Sequence, residues 1–229
     1  MVLAWAPEAR SQTVSGRALP LTDEERIEAR ERLAELGYWL DPENDPKGIQ
    51  LRHALIAFQK IAGRPRTGTL TREELEVIRQ ASRPLPSETG ERHLEIDLYR
   101  QVLFVVESGG VVGRILPVST GSGECFTEGG RTRRAITPVG RFKVERRVEG
   151  WRKSTLGMLY YPLYIHYGIA IHGNAAVPPR PASHGCIRIP LHSAIELSAM
   201  VPEETVVIIY DSNPRPPRPP EPCPIPAVQ

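Results

Sequence analysis

The spacing of apolar residues changes its period once along this chain, and that change limits what the two parts can become. Up to residue 82 the apolar positions recur at helical intervals; from residue 93 they alternate as on strands. Leu51, Leu55 and Phe58 fall at i, i+4 and i+7, the spacing of a buried helical stripe. Ahead of them, Leu21-Thr22-Asp23-Glu24-Glu25 reads as a helix start, with Thr22 as N-cap, Glu25 closing a capping box and Leu21 in the staple position. Ile27, Leu33 and Leu36 continue that helical face, and Gly37 stops it. A third helix begins at Thr71, with Glu74 again three positions on, and runs through Leu75 and Ile78. Residues 22–82 therefore make a small three-helix domain of about 60 residues, near the lower size limit for an independent core.

Residues 83–92, RPLPSETGER, break all periodicity and read as a linker. Beyond it, His93 to Leu98 alternates, with Leu94, Ile96 and Leu98 on one face. The run VLFVV within Gln101–Glu107, the turn Ser108-Gly109-Gly110 and the return from Val111 to Val118 form a hairpin signal. Phe142-Lys143-Val144 and Val206 to Tyr210 add strands, and one convincing helix, Leu191 to Met200, follows Pro190. The second domain, 93–211, is mainly β. From residue 212 to 229 a proline-rich tail favours extended polyproline II over a packed core.

The 29 basic and 27 acidic side chains are spread along the chain, for a net charge of +2. The densest basic group, Arg131, Arg133 and Arg134, is too short for a nucleic-acid stripe, so no nucleic-acid partner is expected. No stretch approaches the roughly 18 apolar residues of an integral membrane segment. The opening MVLAWAPEAR lacks the basic start and long apolar core of a signal peptide. Three cysteines cannot all pair; a Cys125–Cys223 bridge would leave Cys186 free, and the sequence leaves that open.

Chemistry concentrates in residues 168–190, GIAIHGNAAVPPRPASHGCIRIP. Cysteine is the side chain with appreciable thiolate near neutrality, and a nearby imidazole activates it further. Cys186 is thus the candidate nucleophile, with His172 and His184 as candidate bases. His172 ends an alternating apolar strand, so a rigid element holds it, whereas His184 sits on a glycine-bearing turn; His172 is the preferred base. Gly185 permits close backbone approach, and amides at 185 and 186 could form an oxyanion hole. His172, His184 and Cys186 are also legitimate zinc ligands, with Cys125 or His166 as a fourth. His166 and Tyr164 belong to an aromatic run, Tyr160 to Tyr167, suited to lining a peptide groove, and Trp151 could close the same groove.

Ile-His-Gly at 171–173 followed by Ser-His-Gly-Cys-Ile-Arg at 183–188 resembles the signature of the L,D-transpeptidase catalytic domain, the YkuD domain. IDLYRQVLFVVESGGVVGRILPVSTG (96–121) and ITPVGRF (136–142) are similar to further parts of that family, so the resemblance covers nearly all of 93–211. It implies a β-sandwich-like fold with one or two helices and a cysteine acyltransferase without cofactor or metal. Its substrates would be peptidoglycan stem peptides, and carbapenems would be covalent inhibitors. The alternatives are an L,D-carboxypeptidase-like hydrolase on the same fold and a non-catalytic wall-binding module.

Carried onto this chain, Cys186 is the nucleophile, His172 the base, and the Gly173 carbonyl the group that orients it. Amides of His184, Gly185 and Cys186 hold the oxyanion. Ser183 and His184 shape the turn, and Arg188 supports the substrate or the box. Only ten residues separate His172 from Ser183, which implies a short, proline-stiffened loop. The implied location is extracytoplasmic, in the cell wall or a periplasm-like space, with Cys125 and Cys223 away from the groove. RERLAELGYWLDP (30–42) and LRHALIAFQKIAGRPRTGTLTREELEVI (51–78) are similar to a three-helix peptidoglycan-binding domain, with Lys47-Gly48-Ile49-Gln50 replacing its usual Asp-Gly-x-Phe-Gly.

Overall fold

In a computed structural model of the chain, residues 20–215, 222 and 223 are described. Most of the proline-rich tail, like everything before residue 20, lies outside them. Three helices come first: α1 (Asp23–Glu35), α2 (Ile49–Ile61) and α3 (Arg72–Gln80). The capping box of α1 is complete, with the Glu25 N–H donating to Thr22 Oγ1 at 3.2 Å and the Thr22 N–H donating to the Glu25 carboxylate at 2.8 Å. Ile27 does not share the buried face; it is 54% exposed, while Ala29 and Leu33 are fully buried. At 100° per residue, six residues carry Ile27 roughly 240° around the helix from Leu33.

The strands are β1 (His93–Asp97), β2 (Val102–Glu107), β3 (Val111–Pro117), β4 (Cys125–Glu128), β5 (Arg131–Arg134) and β6 (Gly140–Lys143). They continue as β7 (Arg146–Arg147), β8 (Trp151–Ser154), β9 (Gly157–His166), β10 (Ile169–Asn174) and β11 (Ile187–Pro190). Helix α4 (Leu191–Met200) and β12 (Val206–Tyr210) complete the order. One sheet runs β3-β2-β1-β12-β6; the other runs β11-β10-β9-β7, with β8 paired to β9; β4 and β5 form a separate hairpin. The fold is thus mainly β with one extra helix, after a three-helix region.

Between the two sheets lies the larger core. Leu94, Ile96, Leu103 and Val207 of the first sheet meet Leu163, Ile171 and Ile187 of the second, with Leu197 of α4 at the edge. The opposite face of β2 and β3 is covered by the helices. Val102, Phe104, Val106 and Ile115 pack with Leu33, Leu55, Phe58 and Ile78 in a second core. Successive residues of β2 therefore point alternately into two cores, which is why VLFVV is a continuous apolar run. The helical region does not depend on its own few side chains for burial; it shares the sheet's.

Polar contacts tighten that junction. Lys60 of α2, 3% exposed, donates to the carbonyls of Gln101 and Val118 at 2.8 and 2.9 Å, and burial pushes its pKa well down. The segment 83–92 is irregular yet pinned. Arg83 donates to the Val112 carbonyl at 2.7 Å, and the amides of Ser87 and Glu88 both donate to the buried Glu95 carboxylate at 2.8 Å.

Cys125 on β4 is bonded to Cys223, 98 residues on. Closing a loop of that length removes denatured-state freedom. Cys223→Ser is expected to lower stability by about 2–4 kcal/mol, read as a fall in Tm of roughly 5–15 °C. A melting curve superimposable on wild type would show that the bridge restrains nothing.

Candidate active site

His172 lies on β10 and is buried. Its neighbour Ile171 points into the inter-sheet core, so strand alternation turns the imidazole toward the other face. The Nδ1 atom is 3.0 Å from the Gly173 carbonyl. A carbonyl only accepts, so Nδ1 carries the proton and Nε2 keeps a free lone pair. Burial lowers the His172 pKa to about 4; the Gly173 carbonyl opposes that shift and the Arg188 charge adds to it. The ring is neutral at pH 7. Gly173 has to be glycine for packing reasons, since a Cβ there would sit 2.8 Å from that of Ala194 on α4.

Strand β11 runs parallel to β10, with Ile171 opposite Ile187 and His172 opposite Arg188. Cys186 immediately precedes β11 and is the free cysteine, half-buried. Burial raises its pKa, while the Ala170 backbone and Arg188 pull it down. Its Sγ approaches the Gly168 carbonyl at 4.0 Å. The preceding turn is closed from inside: Ser183 Oγ donates to the Cys186 carbonyl at 2.6 Å and accepts from the Gly185 N–H at 3.0 Å. The Gly185 amide is therefore already engaged, which removes it from the three expected oxyanion donors. Gly185 has φ +135°, and a Cβ there would meet the Ile136 carbonyl at 3.0 Å, so both conformation and space require glycine.

A second layer holds this turn. The Ala182 and Ser183 amides donate to the Thr120 carbonyl at 2.9 Å, and Ser119 and Arg188 exchange backbone bonds. Thr120 is held in turn by the side chain of Gln101 at 2.6 and 3.0 Å. Thr137 Oγ1 donates to the Gly185 carbonyl at 2.7 Å and accepts from the Gly121 amide at 2.9 Å. The loop between His172 and the turn is tied at Pro179, whose carbonyl accepts from Arg66 at 2.9 Å, and at Arg180, whose carbonyl accepts from Ser119 at 2.8 Å. Sequence reasoning gives these holding residues no role, although Ser119, Thr120 and Thr137 lie within the stretches that carry the family resemblance.

His172, Ser183, His184, Gly185, Cys186 and Arg188 line one cleft of about 590 Å³, within the usual range for ligand sites. Tyr164 lines it as well, with the Arg146 guanidinium 4.2 Å from its ring centroid. His184 is exposed, its ring 4.7 Å from that of Phe126. Two expected groove residues stand elsewhere. Trp151 is 55% exposed and packs on Tyr160 at 4.6 Å, outside the lining. His166 packs on Phe142 at 5.0 Å and lines a different cavity with Lys143 and Glu204. For His166 the cause is strand parity: side chains two apart share a face, so it would share one with Tyr164 only where β9 stays regular, and the β9–β10 register shifts at Ile169/Ala170, the partners of His166 and Tyr164.

The zinc alternative loses its fourth ligand, because Cys125 is in a disulfide and His166 lies in the other cavity. Among the described residues no group of three or more His, Cys, Asp or Glu side chains is placed to hold a metal. The disulfide does not lie away from the groove as expected. Cys125 begins the β4–β5 hairpin, and Phe126, Glu128, Arg133 and Arg134 of that hairpin form one wall of the cleft. Among the described residues no helix is long and apolar enough to cross a membrane.

A family model of the L,D-transpeptidase catalytic domain matches residues 91–209, and one of a peptidoglycan binding domain matches residues 22–78. Among solved structures the chain is similar to an L,D-transpeptidase from Xylanimonas cellulosilytica, at 36% identity and a TM-score of 0.76, covering 90% of this chain and 100% of that one. It is also similar to an L,D-transpeptidase from Stackebrandtia nassauensis, at 22% identity and a TM-score of 0.48, covering 83% and 93%. The catalytic domain of an Enterococcus faecium L,D-transpeptidase matches at 23% identity and a TM-score of 0.43, over 54% and 100%. A search of curated proteins finds no match. With over half of its length under the catalytic-domain model and a 36% identical structure spanning nine-tenths of it, the chain belongs to the L,D-transpeptidase (YkuD) family, with a peptidoglycan-binding-like helical region ahead of the catalytic domain.

Proposed function

We propose that this protein is a cysteine acyltransferase that cross-links peptidoglycan stem peptides. The observation that carries the reading is a free thiol at the residue before β11 and a neutral, Nδ1-capped imidazole on the parallel neighbour β10, both lining one cleft. His172 Nε2 takes the Cys186 proton as sulfur attacks the carbonyl carbon of the third residue of a donor tetrapeptide. Amides of His184 and Cys186 hold the resulting oxyanion, as the Gly185 N–H is already engaged. Collapse breaks the bond to the terminal D-alanine, and the imidazolium returns its proton to the leaving amine. An amine of a neighbouring stem then attacks the thioester, His172 takes its proton, and the Cys186 sulfur leaves and recovers it.

The thiol and imidazole both rest neutral, so proton transfer and attack go together rather than from a preformed ion pair. Such a peptide substrate lies outside the cytoplasmic membrane, and a disulfide is at home in an oxidising compartment; an extracytoplasmic location fits both. The test is incubation with purified disaccharide-tetrapeptide and reading of product masses. Release of D-alanine together with a cross-linked dimer is expected. Release without a dimer would make the protein a hydrolase, and no release would overturn the reading.

A further inference from the structure

The cleft around Cys186 carries more positive charge than acyl transfer uses. Arg133 of β5, Arg146 of β7, Arg152 and Lys153 of β8, and Arg188 of β11 all line it. None of the five forms an ion pair with a described carboxylate. The one acidic lining residue, Glu128, is engaged by the Thr155 hydroxyl. The whole chain has a net charge of only +2, so this surplus is local.

Like charges gathered on a concave wall repel one another and raise the potential inside it. Four strands contribute them, which makes the potential a property of the cleft rather than of one loop. Arg146 is held in place by its cation–π contact with Tyr164, 4.2 Å from the ring centroid, so its charge faces the cleft with part of its conformational freedom already removed. A ligand with a single carboxylate would answer one of these cations. A ligand with several would relieve the repulsion among them.

We propose that the cleft selects acyl donors presenting several free carboxylates, that Arg146, Arg152 and Lys153 read those charges, and that donors with amidated carboxylates are discriminated against. The proposal rests on the acyl-transfer reading for its substrate, but the charge selectivity is separable from it.

Two measurements test it. Cys186 is alkylated with anionic iodoacetate and with neutral iodoacetamide, and the rate ratio is compared with that of the unfolded protein. At low salt the folded protein should favour iodoacetate by about tenfold relative to the unfolded chain, and 0.5 M salt, with a Debye length of only about 4 Å, should erase most of that. The combined Arg146→Gln, Arg152→Gln and Lys153→Gln variant should lose most of the preference. In the second measurement, two synthetic tetrapeptide donors differing only in side-chain carboxylate amidation are compared in kcat/KM; the free acid should lead by about tenfold, and the triple variant should bring the two together. Equal rates for the donors, or a preference that survives the triple variant, would overturn the proposal. If neither donor is consumed the acyl-transfer reading fails, while the alkylation ratio still decides the charge selectivity.

Discussion

Cys186→Ala is expected to remove turnover entirely, by at least about 10⁴-fold, because a covalent mechanism loses its only attacking atom. The protein should still fold. Residue 186 is half-buried, its turn is closed by Ser183 Oγ through backbone atoms, and none of those bonds uses the sulfur. The sharper readout is intact mass. A carbapenem is a strained acyl donor, so wild type should gain one adduct mass and the alanine variant none. An unmodified wild type would count heavily against Cys186 as nucleophile. A variant that still took up the drug would place the attack elsewhere.

His172→Ala should cost about 10²–10⁴ in rate, the usual worth of positioned acid–base assistance, and should slow alkylation of Cys186 near neutral pH. The pH profile separates this base from an ordinary histidine. With a pKa lowered to about 4, the imidazole stays able to accept a proton until the medium becomes distinctly acidic. The acid limb of kcat/KM should therefore fall near pH 4, not near the 6.5 of a solvated ring. Below that limb the base is protonated and activity is lost; above it the base is available. Because burial raises the thiol pKa, no second limb from thiolate formation is expected between about pH 5 and 8. His184→Ala should act mainly through the turn, whose exposed ring touches Phe126. If that variant lost thiol reactivity while His172→Ala kept it, the roles would be reversed.

Features governed by near neighbours along the chain are legible in the amino-acid sequence. Thr22 and Thr71 cap helices through bonds three residues long, and α4 begins directly after Pro190. The β2–β3 hairpin follows from its two-glycine turn. The motif that carries the family resemblance is local too, a dozen or so residues from one histidine to the cysteine box. Register and sheet packing are not legible in this way. Strand β9 contains Pro162, which argues against a sheet position, and it is accommodated by a shift between the Leu163–Ile171 and Tyr160–Gly173 pairs that leaves Tyr161 and Pro162 as a bulge. A second shift in the same strand, opposite Ile169 and Ala170, separates His166 from Tyr164, so spacing alone cannot place His166. The cationic lining is hidden for a related reason: its members come from four strands and are up to 55 positions apart in sequence, so no run of charge announces them.

The second core, shared by β2 and the helices, has a consequence for how the enzyme addresses its surroundings. A binding module on a flexible tether lets its catalytic partner sweep a volume set by tether length. Here Phe104 and Ile115 are packed against Leu55 and Phe58, Lys60 is bonded into the sheet, and Arg66 reaches the loop beside the thiol. Whatever surface the helices rest on, the thiol stands at one fixed height and bearing from it. Any surface that the helices contacted would meet the thiol at that one built-in offset.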